Sequence, residues 1–211
     1  MTRLVYLFDP LCGWCYGAAP ALAAAAASNA ITLEPMPTGL FAGSGGRAMD
    51  EAFAAYAWEN DQRIAALTGQ PFTEAYRRGV LESREQRFDS APATRALTAV
   101  HLTAAEREFA ALEAFQRARY AEGRDVTDRA TLVELLDALA LFEAASLLKA
   151  DDETLRSACE RRVVQAQTLM QRFSLRGVPS LLVEKAGALQ PLKADALYSS
   201  PAGFVESLSR V

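Results

Sequence analysis

The fold of this chain is decided by the stretch Phe8-Asp9-Pro10-Leu11-Cys12-Gly13-Trp14-Cys15-Tyr16, which lies between an apolar run and an alanine-rich run. The apolar run, residues 4–8, predicts a short buried strand, and residues 18–27 predict a helix because alanine has the highest helix propensity. A strand leading into a helix places Cys12 at the helix N-terminus, where unpaired N–H groups and the helix dipole favour a thiolate. Cys15 follows one turn later on the same face, so it can attack a mixed disulfide formed at Cys12. Position and spacing together predict thiol–disulfide exchange.

The composition limits the classes of partner. The chain has 211 residues, 51% of them hydrophobic, which is enough for one large domain or a small domain with an insertion. Its net charge of −4, without a dense Lys/Arg run, argues against nucleic acid. Three cysteines do not make a secreted disulfide framework, no signal-peptide pattern precedes the first strand, and the alanine run is too short to span a bilayer. We therefore expect a cytoplasmic protein without a membrane segment; the sequence leaves monomer and homodimer open.

The first two thirds of the chain divide into two patterns. Residues 1–46 show the pattern strand, helix, strand, and Pro35 and Pro37 mark the second strand as a sheet edge. Residues 47–150 show helical periodicity and no convincing strand. Within them, residues 103–106 have capping-box spacing, and one helix is predicted to run from 127 or 128 through Phe142.

The last third returns to mixed structure. Asp152 is placed to cap a long helix, residues 180–184 and 188–192 predict a hairpin, and a closing helix starts near Ser200 and Pro201. The order βαβ, helices, αββα predicts an α/β, thioredoxin-like fold. In this interpretation residues 1–46 and 151–211 form the thioredoxin-like domain, and residues 47–150 form a large all-helical domain inserted after the first βαβ unit.

The chain resembles the DsbA-like thiol–disulfide oxidoreductases of the thioredoxin superfamily over nearly its whole length. The residues that carry the resemblance are Cys12-Gly13-Trp14-Cys15 after a strand, the helical insert, and Gly177-Val178-Pro179-Ser180 before the third strand. Residues 9–16 and 89–96 are similar to the branch of non-exported, predicted protein-disulfide isomerases. The resemblance implies that Pro179 is a cis-proline facing the cysteine pair, with the Val178 backbone free to pair with an extended substrate.

Several residues near the cysteine pair have two interpretations each. Trp14 either contacts the partner or packs the loop. Asp9 either tunes the thiols or forms a turn, and Gly13 replaces the residues that set thiolate stability in the best-known relatives. The glycine-rich run from Gly39 to Gly46 either holds substrate through its backbone or only connects two structural blocks, which is the commoner role.

Three further residues fall outside the motif. Cys159 lies on the apolar stripe of its helix and is expected to pack as a small hydrophobe. His101, the single histidine, is expected to be a core residue, since one histidine with one CxxC cannot complete a zinc site. The resemblance places Asp89-Ser90 near the cleft, and their ordinary role is a helix N-cap ahead of Pro92.

Three functional hypotheses remain at this point. The preferred one is a thiol–disulfide oxidoreductase, with disulfide isomerase activity as a variant, that acts on protein or peptide thiols through Cys12 and Cys15. It needs no metal or organic cofactor, with glutathione as a candidate co-substrate. The alternative is a glutathione-dependent isomerase or transferase of the hydroxychromene-carboxylate isomerase or kappa type, although those groups usually carry serine at the first position. The third is a binding protein or chaperone in which the CxxC is only a structural disulfide.

Overall fold

The structure, a computed structural model, describes residues 1–198 and 200–209. Within these ranges the strands are β1 (Thr2–Phe8), β2 (Ile31–Pro37), β3 (Arg47–Ala48), β4 (Arg87–Phe88), β5 (Ser180–Lys185) and β6 (Ala188–Leu192). Four of them form one sheet in the order β2-β1-β5-β6, in which β1 pairs parallel with β2 and antiparallel with β5. This is the sheet predicted for a thioredoxin-like fold, and β2, with its two prolines, lies at the edge.

The helices in the described ranges are α1 (Gly13–Gly17), α2 (Ala19–Ala26), α3 (Glu51–Thr68), α4 (Glu74–Tyr76), α5 (Ala91–Ala104), α6 (Glu108–Tyr120), α7 (Arg129–Ala138), α8 (Phe142–Ala150), α9 (Glu153–Arg172) and α10 (Pro201–Ser209). Helices α3 to α8 lie between β2 and α9, where the sequence predicts the insert. Of the helices described, none is long and apolar enough to cross a membrane. The predicted domain boundaries at 46 and 151 remain a prediction.

Short polar side chains fix where the longer helices begin. The Asp50 carboxylate accepts the N–H of Phe53 at 2.7 Å at the start of α3, and Asp152 accepts the N–H of Leu155 at 2.9 Å at the start of α9. Gly69 ends α3 in the left-handed conformation, with φ at 74°. These caps set the ends of the two long helices α3 and α9.

Side chains of β1 alternate between the two faces of the sheet, as the strand period requires. Val5 and Leu7 point to one face, where they pack with Ala166 of α9. Leu4, Tyr6 and Phe8 point to the other face and belong to a core that continues without interruption into the inserted helices. The thioredoxin-like part and the insert therefore share one hydrophobic core.

A buried ion pair also joins the insert to the sheet. Arg162 of α9 donates to both carboxylate oxygens of Glu108 at 2.7 and 2.9 Å, and to the carbonyl oxygen of Pro35 at 3.0 Å. His101 lies against the same carboxylate, with its Nδ1 2.9 Å from Glu108 Oε2. The expectation that His101 is a core residue is wrong, because its side chain is 41% exposed.

Three local predictions for the insert are also wrong. The insert is not all-helical, since β3 and β4 pair as a short antiparallel ribbon. The Thr103 hydroxyl does not cap a helix, because it donates to the Ala99 carbonyl at 2.9 Å while α5 continues past it. The helix that begins after Asp128 ends at Ala138, and the exposed Phe142 opens α8 instead. The third error arises because the apolar spacing continues across the turn between α7 and α8.

Candidate active site

Cys12 lies at the point where the loop after β1 enters α1. It is the N-cap of that helix, with φ −85° and ψ 117°, and its carbonyl accepts the N–H of Tyr16 at 3.1 Å. The Cys12 thiol donates to the carbonyl oxygen of Val178 at 3.6 Å. The first sulfur of the motif therefore lies beside the Val178–Pro179 segment, which is 166 residues away in sequence.

Cys15 occupies a different environment, although both cysteines are free thiols. It is completely buried. Burial raises the pKa of the Cys15 thiol well above its usual value, and the hydrogen bond and charge of Cys12 raise it further, whereas a backbone hydrogen bond from Asp9 acts in the opposite direction. Cys12 is itself 6% exposed but lines the cavity of this site, and Cys15 is held protonated behind it.

The Val178–Pro179 peptide bond is cis. Pro179 precedes β5, which begins at Ser180, so the Val178 carbonyl turns toward the cysteine helix before the strand starts. Val178 is only partly buried, and it lines the same cavity as Cys12. Its backbone therefore borders the space where a substrate would approach.

That space is a cavity of about 310 Å³ between the thioredoxin-like part and the insert. From the first part it is lined by Cys12, Trp14 and Val178, and from the insert by Asp61, Tyr76 and Tyr120, among others. Two apolar residues at its rim, Leu40 and Tyr56, are 42% and 68% exposed. An open apolar rim next to a thiol suits a thiol or disulfide substrate with apolar groups.

Trp14 packs the loop, which is one of the two roles predicted for it, and its contact with a partner stays a prediction. Its ring lines the cavity, and it also packs edge-on against Tyr198 with ring centroids 5.2 Å apart. The Tyr198 hydroxyl donates to the Trp14 carbonyl at 3.2 Å. Tyr198 therefore holds the Trp14 loop in place at the edge of the cavity.

Asp9 acts as a structural anchor for the loops around Cys12. Its completely buried carboxylate accepts the N–H groups of Leu11 and Phe41 at 2.9 and 3.0 Å and the Ser90 hydroxyl at 2.8 Å. Burial raises the pKa of Asp9 despite these three hydrogen bonds, each of which lowers it. The Asp9 carbonyl also accepts the Cys12 N–H at 3.1 Å. Asp9 thus ties the glycine-rich loop and the start of α5 to the cysteine loop.

Two glycines, Gly39 predicted to bind substrate and Gly13 predicted to tune the thiols, have packing roles in the structure. Gly39 has φ at 62°, and a Cβ there would lie 3.1 Å from Val163, so it forms the tight turn after β2. It does not line the cavity, although the next two residues, Leu40 and Phe41, do. Its contact with substrate stays a prediction. At Gly13 a Cβ would lie 2.5 Å from Asp61 Oδ1, so the missing side chain lets α3 approach the start of α1.

The remaining candidates lie outside the cavity. Cys159 is partly buried on α9, and burial raises the pKa of its thiol. Ser90 is buried against Asp9, and the Asp89 carboxylate accepts the N–H groups of Gly43 and Ala91 at 3.3 and 2.9 Å. None of these residues lines the space beside Cys12. Asp89 and Ser90 therefore fix the start of α5 and the adjoining loop.

Sequence reasoning missed Asp61, a buried acid in the wall of the cavity. Its Oδ2 accepts the Tyr76 hydroxyl at 2.9 Å. Burial raises the pKa of Asp61 to about 7, partly opposed by the Tyr76 hydrogen bond and by the charge of Arg119. Asp61 shares the buried face of α3 with Ala54 and Ile64, but in the sequence it stands in a polar run that gives no sign of burial.

A thioredoxin-like sheet, a CxxC at a helix start and a facing cis-proline define a thiol-dependent redox protein. A family model described as the DSBA-like thioredoxin domain matches residues 3–196. The chain therefore belongs to the DsbA-like family of thiol–disulfide oxidoreductases.

Solved structures agree with this assignment. The cytosolic disulfide reductase DsbM from Pseudomonas aeruginosa is 35% identical with a TM-score of 0.87, and the match covers 99% of this chain and 97% of that chain. The structure of DsbM with GSH is 33% identical with a TM-score of 0.85 and covers 99% and 98%. DsbA from the same organism, 11% identical with a TM-score of 0.53 over 99% and 80%, shares the fold. Among curated protein sequences, no relative matches this chain.

Proposed function

We propose that this protein reduces disulfides of small thiol compounds and peptides in the cytoplasm, with Cys12 as the attacking sulfur and Cys15 as the resolving sulfur. The observation that carries the proposal is the asymmetry of the two thiols. Cys12 lines the cavity next to the Val178 carbonyl, whereas Cys15 is completely buried with a raised pKa. A sulfur must be accessible to attack a substrate, and a resolving sulfur needs only to reach its neighbour.

Similarity to solved structures supports a direction of reaction and a compartment for this protein. Two solved structures with more than 30% identity are of a cytosolic disulfide reductase, one of them with GSH. The small number of cysteines, three, is consistent with the same compartment. We accordingly favour reduction over isomerisation, with glutathione as a candidate substrate or recycling thiol and no metal or organic cofactor.

The proposed cycle balances sulfur, protons and electrons. The Cys12 thiolate attacks a substrate disulfide, forms a mixed disulfide and releases one substrate sulfur, which takes up a proton. Cys15 then loses its proton and attacks the Cys12 sulfur, which forms the Cys12–Cys15 disulfide and releases the second substrate thiol. The substrate gains two electrons and the protein loses two. An external thiol reductant returns the protein to its dithiol form.

Anaerobic reduction of insulin and of a glutathione-containing mixed disulfide tests this proposal. Cys12→Ser should abolish activity, whereas Cys15→Ser should retain the first step and accumulate a mixed disulfide with substrate, visible as added mass. The matched control is Cys159→Ser, which removes the third thiol away from the cavity and should keep wild-type activity. Equal activity of the wild type and Cys12→Ser would refute the proposal.

A glutathione-dependent isomerase or transferase is the second candidate. The observation in its favour is a cavity of about 310 Å³ beside Cys12, a size suited to a small ligand, together with a relative solved with GSH. Titration with S-methylglutathione, which cannot exchange disulfides, separates the two candidates when followed through Trp14 fluorescence. Tight saturable binding together with unchanged isomerase activity in Cys12→Ser would favour the second candidate.

A further inference from the structure

Asp61 lies in the cavity wall directly beside the residue that follows Cys12. Its Oδ2 is fixed by the Tyr76 hydroxyl at 2.9 Å, and its Oδ1 lies 2.5 Å from the position a Cβ on Gly13 would occupy. The residue is 5% exposed and shares the cavity with Cys12. The carboxyl group is therefore held on one side, while its other oxygen faces the first turn of the cysteine helix.

The groups around Asp61 stabilise its carboxylate form only in part. Tyr76 of α4 donates one hydrogen bond, and Arg119 and Tyr120 approach from α6. Arg119 is buried against the rings of Tyr76, Phe88 and Tyr120, and it makes no ion pair with any carboxylate of residues 1–198 and 200–209. A buried carboxyl group without an ion pair favours its neutral, proton-carrying form.

We propose that Asp61 donates a proton to the sulfur that leaves the substrate when Cys12 attacks a disulfide. The step rests on the function proposed above. The Cys12–substrate S–S bond forms and the substrate S–S bond breaks. The departing thiolate takes the proton of the Asp61 carboxyl and leaves as a thiol, and Asp61 becomes a carboxylate that regains a proton from water. No electron enters or leaves beyond the pair exchanged between the sulfurs.

The acidity of Asp61 agrees with this role. Burial raises the pKa of Asp61 to about 7, so the group still carries a proton at neutral pH and can release it. A proton donor works best when its pKa lies near the working pH. The Tyr76 hydrogen bond and the Arg119 charge lower this pKa, so they keep the proton transferable.

Two disulfides with different leaving groups test the proposal. Ellman's reagent releases an aromatic thiolate that is stable without a proton, whereas bis(2-hydroxyethyl) disulfide releases an alkyl thiolate that is not. In single-turnover reactions with the reduced protein, Asp61→Asn should lower the rate of reduction of bis(2-hydroxyethyl) disulfide on the order of 10²-fold. It should leave the rate with Ellman's reagent unchanged. Glu59→Gln, which removes an exposed carboxylate from the same helix, should alter neither rate.

The pH dependence gives an independent readout. The rate of reduction of the alkyl disulfide is divided by the rate of reduction of Ellman's reagent. In the wild type this ratio should fall as the pH rises through about 7, and in Asp61→Asn it should not change with pH. Tyr76→Phe removes a hydrogen bond that lowers the pKa of Asp61, so it should move the fall to higher pH. If Asp61→Asn fails to fold, this shift in Tyr76→Phe tests the proposal in its place.

Equal slowing of both disulfides by Asp61→Asn, or no slowing of either, would overturn the role of Asp61 while leaving the proposed function intact. A wild type that reduces neither disulfide would overturn both.

Discussion

At the scale of single residues, the two cysteines of one short motif differ more in environment than in chemistry. Cys12 borders a cavity, Cys15 is sealed beneath it, and Cys159 sits partly buried on another helix. Since the thiolate is the reactive form, and accessibility decides whether a reagent reaches it, Cys12 should react before Cys15.

We expect iodoacetamide to alkylate Cys12 well before Cys15 in the folded, reduced protein at pH 7. Burial raises the pKa of Cys15 and also excludes the reagent, and burial raises the pKa of Cys159. Timed alkylation followed by peptide mass spectrometry gives the three rates. In denaturant the three cysteines should react at similar rates, which serves as the control. Faster labelling of Cys15 than of Cys12 in the folded protein would contradict the assignment.

The acidity of Asp61 also predicts a pH dependence of stability. The folded protein keeps the Asp61 proton up to about pH 7, whereas an unfolded chain releases it near the ordinary value of 3.8. Folding therefore takes up a proton between these values, and the free energy of unfolding falls as the pH rises through that window. From pH 4 to pH 8, the stability of Asp61→Asn should rise relative to the wild type by roughly 4 kcal/mol, measured by urea denaturation. Parallel pH profiles would refute this.

The motif residues could be found from sequence because they are local, whereas Asp61 could not. Asp61 lies in the polar run Glu59-Asn60-Asp61-Gln62-Arg63, which looks like a solvated helix face. It is buried because α3 packs against α1 and because Tyr76 covers its other side. On the same helix the apolar Tyr56 is exposed. Which face of α3 is covered depends on contacts with distant elements, and the periodicity of a single sequence does not contain them.

At the scale of elements, the contact of α1 with α3 depends on two small residues. Gly13 and Gly17 occupy the face of α1 that meets α3, and a Cβ on Gly17 would lie 2.7 Å from Cγ2 of the completely buried Ile64. The sequence predicts both helices, but it does not show that they touch. The cysteine helix is also shorter than the alanine-rich run suggests, because a break near Ala18 separates α1 from α2.

Gly17→Ala tests this contact. Alanine would improve the helix propensity of α1 by up to about 1 kcal/mol, but the clash with a core side chain costs about 1–3 kcal/mol. We expect net destabilisation of about 1 kcal/mol or more. Gly177→Ala is the matched control, because its Cβ meets nothing within 4 Å and its φ is not left-handed, so it should be neutral or slightly stabilising. Chemical denaturation measures both; a stabilised Gly17→Ala would show that α1 can shift away from α3.

At the scale of the whole molecule, the insert and the thioredoxin-like part share a core and an internal ion pair. The sequence predicts the order of elements and therefore the four-stranded sheet, because β1, β2 and β5 have apolar patterns and a turn signal leads into β6. The partner of Arg162 was not predictable, since Glu108 lies 54 positions away on a helix of the insert. The active-site cavity lies between the two parts, so their packing also sets its shape.

Arg162→Ala should therefore destabilise the entire molecule. It leaves the completely buried Glu108 carboxylate without its main partner, and loss of one member of a buried pair costs about 3–5 kcal/mol. Arg156→Ala is the control, because Arg156 pairs with Asp151 from a half-exposed position and its loss should cost at most about 1 kcal/mol.

Trp14 and Trp58, retained singly in Phe variants, report on the thioredoxin-like part and the insert respectively. Because the core is continuous, both reporters should show the same urea midpoint, and Arg162→Ala should lower the two midpoints together. Separate midpoints would mean that the insert is an independent folding unit, and that the cavity beside Cys12 can open without loss of the sheet.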